Sequence, residues 1–311
     1  MRALLADIGG TNARFALLDG AETGAPLTLS VADYPTAEDA VAAALARLAP
    51  GGGVERAVLA LAGPVLNEPV RLTNAPWAFS RAGLAARFGF RAVTLVNDFL
   101  ALAHALPHLR AQHLRTLGGA VPDPLAPMLV LGPGTGLGAA AFLPAAGLAV
   151  PTEAGHIGLA PADAQGDAIV TALRARCGRA GVEEALSGRG LANLHAVIAG
   201  LRGAKVPERD AAAVVATAET CPVAREAITT FLDLLADFAG DLALAWGARG
   251  GVFLAGGIPS RLFAWFDAAA FRVRFEDRPP MRDFLRSVPL HLVTHSHPAF
   301  VGLAALAART D

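Results

Sequence analysis

Apolar residues in this chain fall in short unbroken runs, and the runs end on glycine, aspartate or asparagine. The runs at 3–6, 57–62, 92–96 and 252–255 close on Asp7, Gly63-Pro64, Asn97-Asp98 and Gly256-Gly257. Runs this short, bounded by turn residues, read as buried strands. The pattern predicts strands near 2–8, 14–18 and 27–32, an alanine-rich helix over 37–49, and a strand over 57–62. A strand near 69–73, a helix begun by Ser80, a strand over 92–96 and a helix to about residue 106 follow. Strand, turn and strand recur over 128–143, with another strand near 148–151. Helices are expected through most of 164–249. The clearest has apolar residues at helical spacing from Ala224 to Trp246, with Pro222 before it and Gly247 after it. Strands over 252–255 and 289–293 and a helix from Pro298 complete the pattern.

Two of the turns are rich in glycine. One is Asp7-Ile8-Gly9-Gly10-Thr11-Asn12-Ala13-Arg14, the other Gly132-Pro133-Gly134-Thr135-Gly136-Leu137-Gly138. Each lies between predicted strands and reads as a hairpin tip. Glycine tolerates the positive φ of a tight turn and brings no side chain to hold an anion off. Bare amides at such a tip form an anion-binding concavity. Two such tips far apart in sequence suggest two similar half-structures that close on one polyphosphate.

Composition narrows the class. At 311 residues two domains are the better expectation, and the Gly- and Pro-rich stretch 118–127 is the natural break by composition. The net charge of -1 gives no electrostatic footprint for nucleic acid or an anionic membrane. Two cysteines, Cys177 and Cys221, exclude a disulfide framework and a multi-cysteine zinc site. The apolar segment 3–6 is too short for a signal-peptide core, so a cytoplasmic protein is expected. The stretch from Asp123 to Glu153 carries no intervening charge and is long enough to span a bilayer. Five glycines and two prolines within 129–150 would leave backbone groups unpaired in lipid, so buried strands are expected there instead.

Lys205 is the sole lysine, between Ala204 and Val206. A Walker P-loop needs Gly-Lys-Ser/Thr, a protein kinase a strand lysine, and a pyridoxal phosphate enzyme a Schiff-base lysine. None of these fits. A nucleotide bound here is bound through backbone amides and metal.

Gly134-Thr135-Gly136-Leu137-Gly138-Ala139 satisfies G-x-G-x-x-A, with Glu153 near the acidic position of a dinucleotide site. Such a site needs a helix directly after the glycines. Pro144 and Gly147 leave little room for one, and a second hairpin strand is the better expectation.

These motifs, in this order, resemble the bacterial ATP-dependent glucokinases of the non-repressor type. That family lies within the ribonuclease-H-like superfamily that includes sugar kinases, actin and heat-shock ATPases. The resemblance covers essentially the whole chain. It implies an α/β protein of two ribonuclease-H-like (actin-like ATPase) lobes around a central cleft, at 1–108 plus 294–311 and at 109–293. The activity implied is transfer of the γ-phosphoryl group of ATP to the 6-hydroxyl of glucose, with Mg²⁺ as cofactor and a homodimer formed through helices of the second lobe. Gly9, Gly10, Thr11 and Asn12 resemble the first phosphate motif, and Gly134, Thr135 and Gly136 the second. Asn74 within Thr-Asn-Ala-Pro-Trp, Asn97, Asp98, Glu153, His156 and Glu183 resemble the sugar site. Ser187, Gly188, Gly256 and Gly257 resemble the helix and turn beside adenosine. Ala75, Pro76 and Arg189 stand where the family varies. Fructose, mannose and gluconate remain alternative acceptors, and a polyphosphate an alternative donor. A non-catalytic sugar sensor is not expected, because the six residues before Asp7 leave no room for a helix-turn-helix and the zinc motif of repressor-type relatives is missing.

The chemistry can also be argued from the residues. Phosphoryl transfer to an alcohol rests on positioning and charge stabilisation, with a group to take the hydroxyl proton. Asp98, at the carboxyl end of a buried strand, is the candidate base. The same position suits a helix N-cap. Asp7 beside the first turn would repel phosphate without an intervening cation, which assigns it to Mg²⁺ through water. The alternative is a turn aspartate bonding the amides after it. Asn12 could brace the turn or the transferring group, and Arg14 could neutralise phosphate or pair structurally. Glu153-x-x-His156 has the spacing of a helical carboxylate-bridged metal motif. Pro151, Gly155, Gly158 and Pro161 argue for a loop, where carboxylate and imidazole suit sugar hydroxyls. Burying several such groups penalises any sugar that lacks a matching hydroxyl. Deoxy analogues at the contacted carbons are therefore expected to show much lower kcat/KM than glucose; equal values in a coupled assay would rule out this pocket.

Overall fold

The computed structural model describes residues 1–72, 75–257 and 261–309. The chain forms two compact units, Met1–Leu109 with His295–Asp311, and Arg110–Thr294. The stretch 118–127 therefore lies inside the second unit and is not the break that its composition suggested.

In the first unit, β1 (Arg2–Ile8) pairs antiparallel with β2 (Asn12–Asp19) and parallel with β5 (Arg56–Leu61). β5 then pairs parallel with β8 (Ala92–Asn97). β3 (Glu22–Thr23) and β4 (Leu27–Ser30) both add to β2. Side chains alternate across the sheet. Ala3 and Leu5 join Val58, Ala60, Phe300 and Leu303 on one face. Leu4, Ala6 and Ile8 join Val41, Leu59, Trp77 and Leu84 on the other. Covering both faces with helices is what makes each strand an unbroken apolar run.

The first face is covered by α3 (Asp98–Ala105) and by the C-terminal helix Pro298–Ala308. The second is covered by α1 (Ala37–Leu48) and α2 (Arg81–Phe88), capped by Thr36 and Ser80. The strand expected near 69–73 is only β6 (Val70–Arg71), paired with β7 (Ala78–Phe79).

The second unit repeats the order. β10 (Met128–Pro133) lies between antiparallel β11 (Leu137–Leu143) and parallel β13 (Gly251–Leu254). β12 (Leu148–Thr152) extends one edge, and β14 (Leu290–Val293) follows β13. A strand not foreseen, β9 (Leu114–Gly118), closes the far edge against β14. The charge-free stretch is thus a buried sheet, and among the described residues no helix is long and apolar enough to cross a membrane. Both sheets have the ribonuclease-H-like order, and the molecule is an α/β protein of two such lobes.

Helices α4 (Ala164–Cys177), α5 (Gly188–Leu201), α6 (Ala211–Thr217) and α7 (Pro222–Trp246) fill the middle of this unit. Pro222 starts α7, and Gly247 ends it in the left-handed conformation at φ 60°. Two further helices were not legible: α8 (Ala268–Glu276) and α9 (Arg282–Ser287). α8 shows only Phe271 and Phe275 to the core, and much of its hold on α7 is ionic. Arg274 Nε lies 2.9 and 3.0 Å from the two oxygens of buried Asp237, and Arg278 donates to the Asp237 carbonyl at 2.9 Å. The C-terminal helix of the first unit is α10.

α10 approaches α3 so closely that a side chain on Gly302 would run into the Ala101 carbonyl. The backbone on that side belongs to a packed helix and cannot swing away. Gly302→Ala is expected to lower stability by about 1–3 kcal/mol by forcing the two helices apart. Urea denaturation reads this directly, and an unchanged midpoint would show that the helices separate freely.

Candidate active site

The first glycine turn joins β1 to β2 after the Ile8–Ala13 pair. The Gly9 N–H closes it on the Asn12 carbonyl at 3.0 Å, and the Val31 N–H fixes the Thr11 carbonyl at 2.9 Å. Among the described residues, the amides of Gly10 and Thr11 take no partner. Thr11 and Asn12 are exposed. This is a tip with donors to spare.

Strand parity explains what stands beside the tip. Asp7 shares the sheet face of Ala3 and Leu5, the face covered by α3 and α10. Asp98 is the first residue of α3, and His297 is the cap of α10. Arg14 lies opposite Asp7 on β2, with Nη1 3.9 Å from its carboxylate. Burial raises the Asp7 pKa, and the charges of Arg14 and His297 pull it back. Arg14 is thus a loose ion-pair partner. His297 was missed by motif; its one sequence signal is a His-Pro step opening an apolar helix.

Asn97, not Asp98, caps α3. Its Oδ1 accepts the N–H groups of Phe99 and Leu100 at 2.9 and 3.2 Å, and its Nδ2 donates to the Gly63 carbonyl at 3.1 Å. The carbonyl oxygen is saturated, so Asn97 serves as a brace and its expected role as a sugar ligand is reduced to one spare N–H. Asp98 is half-buried, and its Oδ1 shares the Phe99 N–H with Asn97 at 3.0 Å. Its pKa is pushed up to about 6, first by burial and further by Asp7, against hydrogen bonds from the Phe99 amide and the Asn97 side chain.

In the second unit, the Pro133–Leu137 pair leaves Gly134–Gly136 as the tip. The Gly134 N–H donates to the Gly136 carbonyl at 2.7 Å, and Thr135 is exposed. A strand, not a helix, follows the glycines, which removes the dinucleotide alternative. Only Gly134 is open in the sense expected, with nothing within 4 Å of a side-chain position. At Gly136 that position is filled by the Glu183 carboxylate, 2.5 Å away. Gly256 has φ +93° and would meet the Pro133 carbonyl at 2.8 Å. Gly256 and Gly257 are exposed just past β13.

Glu183 lies in a 3-10 turn (Val182–Glu184) and accepts the Leu137 N–H at 2.8 Å. Ser187 corrects its expected nucleotide contact. It is fully buried, caps α5 by accepting the Gly190 N–H at 2.9 Å, and donates to the Glu183 carbonyl at 2.8 Å. Gly188 donates its N–H to the Gly134 carbonyl at 2.9 Å, tying α5 to the turn. Glu153 caps and His156 ends a 3-10 turn (Ala154–His156), their side chains 3.9 Å apart and two-thirds exposed (67% and 66%). Asn74 lies outside the described residues.

Two lobes of ribonuclease-H-like topology, each with a glycine tip between its central strand and the antiparallel partner, define the actin-like ATPase fold to which sugar kinases belong. The family model described as Glucokinase matches residues 4–310. Glucokinase of Paramagnetospirillum magneticum is 41% identical over 310 residues, covering 97% of this chain and 96% of that one. The crystal structure of glucokinase from an Antarctic psychrotroph superposes with a TM-score of 0.89 at 35% identity, covering 98% of both chains. A ROK family glucokinase from Streptomyces griseus, solved with glucose and AMPPNP, shares the fold at a TM-score of 0.64 and 21% identity, covering 98% of this chain and 99% of that one. The chain belongs to the glucokinase family, and its activity is phosphorylation of glucose by ATP.

The raised pKa of Asp98 has a stability consequence. Between its ordinary 3.8 and about 6 the folded state binds a proton that the unfolded chain has released. Stability therefore falls as pH rises through that window, and the full penalty is present above it. Asp98→Asn removes the penalty and is expected to stabilise the protein near neutral pH by on the order of 1–3 kcal/mol. The gain should vanish at about pH 4. Denaturation midpoints at the two pH values check this; an equal shift at both would acquit the carboxylate.

Proposed function

We propose that Asp98 is the general base of the reaction, taking the proton of the glucose 6-hydroxyl as O6 bonds to the γ-phosphorus of ATP. The bond from that phosphorus to the bridging oxygen breaks, leaving ADP and glucose 6-phosphate. The observation that carries this is a half-buried carboxylate at the head of α3, beside Asp7 and the first glycine tip, whose pKa burial pushes up to about 6 in spite of its hydrogen bond from the Phe99 amide. A base works best when its pKa lies near the operating pH.

Glu153, His156 and Glu183 supply acceptors and donors for the ring hydroxyls, and Asn74 is assigned with them. The free amides of Gly10 and Thr11, and the tip at Gly134, Thr135 and Gly136, hold the phosphates. Asn12 remains with the first tip. Gly188, Gly256 and Gly257 border the nucleoside.

Mg²⁺ fits this chain in one way. Among the described residues no three His, Cys, Asp or Glu are grouped to hold a metal ion. One carboxylate joined by phosphate oxygens and waters is the usual donor set for Mg²⁺. Asp7, beside the first tip, is that carboxylate, acting through water. Bound there, the ion neutralises phosphate charge that would otherwise be repelled by Asp7 and Asp98.

Asp98→Asn keeps the shape and removes the base. In a coupled assay with ATP, Mg²⁺ and glucose, kcat is expected to fall roughly 10²–10⁴-fold. The wild-type kcat/KM should decline with one proton below about 6, as Asp98 protonates. Near-normal turnover in the variant, or an acid limb that survives in it unchanged, would assign the proton to another group.

A further inference from the structure

Glu183 is fastened on several sides within the second unit. Its Oε2 accepts the Leu137 N–H at 2.8 Å and fills the space where Gly136 lacks a side chain. Its carbonyl accepts the Ser187 hydroxyl. Its Oε1 lies 3.7 Å from Nη2 of Arg189, whose tighter partner is Glu184 at 2.7 Å.

The Leu137 N–H and the Gly136 carbonyl belong to one planar peptide unit and point in opposite directions. The carboxylate grips the N–H side of that plane. The Gly134 N–H grips the carbonyl side at 2.7 Å. Between them they fix the rotation of the plane that closes the phosphate tip. A charged acceptor makes the stronger hydrogen bond, and the Arg189 guanidinium lies 3.7 Å from its other oxygen.

We propose that Glu183 is a positioning residue for the phosphate donor: with Arg189 as counter-cation, its carboxylate locks the Gly136–Leu137 peptide and so sets the amides that receive the nucleotide. This rests on the assignment above of the tip to phosphates and of Glu183 to a sugar hydroxyl. A single carboxylate in both roles couples the substrates. A hydroxyl donating to Oε1 steadies the side chain that holds the tip, so glucose lowers the ordering cost of binding nucleotide. By linkage, nucleotide tightens glucose to the same degree.

The test is calorimetric titration of the full chain with AMPPNP and Mg²⁺, with glucose absent and saturating. In the wild type, glucose is expected to tighten AMPPNP by about fivefold or more. In Glu183→Gln, the AMPPNP Kd without glucose is expected to rise on the order of tenfold, and the enhancement by glucose to disappear. Weaker AMPPNP binding with unchanged glucose affinity supports the positioning role and removes the sugar contact. Unchanged AMPPNP binding without glucose, beside weakened glucose binding, leaves Glu183 a sugar ligand alone and overturns the proposal. Glu183→Asp keeps the charge but falls short of the Leu137 amide; it should show the same loss, and wild-type AMPPNP affinity there also overturns it. Arg189→Gln should weaken AMPPNP about two- to fivefold alone and no further in the Glu183→Gln background. Additive losses would put Arg189 on the ligand itself and overturn its part.

Discussion

The two amide hydrogen bonds that Asn97 accepts at the head of α3 govern what the neighbouring carboxylate can do. A helix start has unsatisfied N–H groups, and some oxygen must take them. Asp98 shares only the first of them, the Phe99 N–H at 3.0 Å, and that bond lowers its pKa by less than burial raises it. With Asn97 in that place, Asp98 keeps a carboxylate that burial discourages from ionising.

The two lobes solve one problem in two ways. Both place a hairpin tip after the central strand, β1 or β10, where it turns into its antiparallel partner. In the first lobe the tip is held by backbone alone, through Asn12 and Thr11. In the second it is held by a side chain from far along the sequence, with α5 pinned to it by Gly188. The glycines differ accordingly. Gly134 is empty on its outer side, whereas Gly136 and Gly256 are required by what presses against them.

The sequence made most of this legible where a single local rule decides. Apolar runs ending on glycine, aspartate or asparagine located β1, β5, β8, β10 and β13, and Pro222 with Gly247 bounded α7. It was less informative where neighbours compete. Asn97 and Asp98 are equally good caps in local sequence, and tertiary packing chose between them. Ser187 stands in a segment resembling the helix and turn beside adenosine, yet its hydroxyl is spent inside the fold. His297 comes beside Asp7 only because strand parity and a returning C-terminal helix bring it there. The helix α8 escaped because charge pairing supplies much of its attachment, and pairing partners are invisible along one chain.

That attachment has a thermal side. Taking Asp237 and Arg274 out of water carries a dehydration penalty that shrinks on warming, because ion hydration is entropically unfavourable. Seams held by oily contacts gain nothing comparable. The α7–α8 seam should accordingly loosen late as the molecule is heated, after regions secured by methyl groups alone have begun to open.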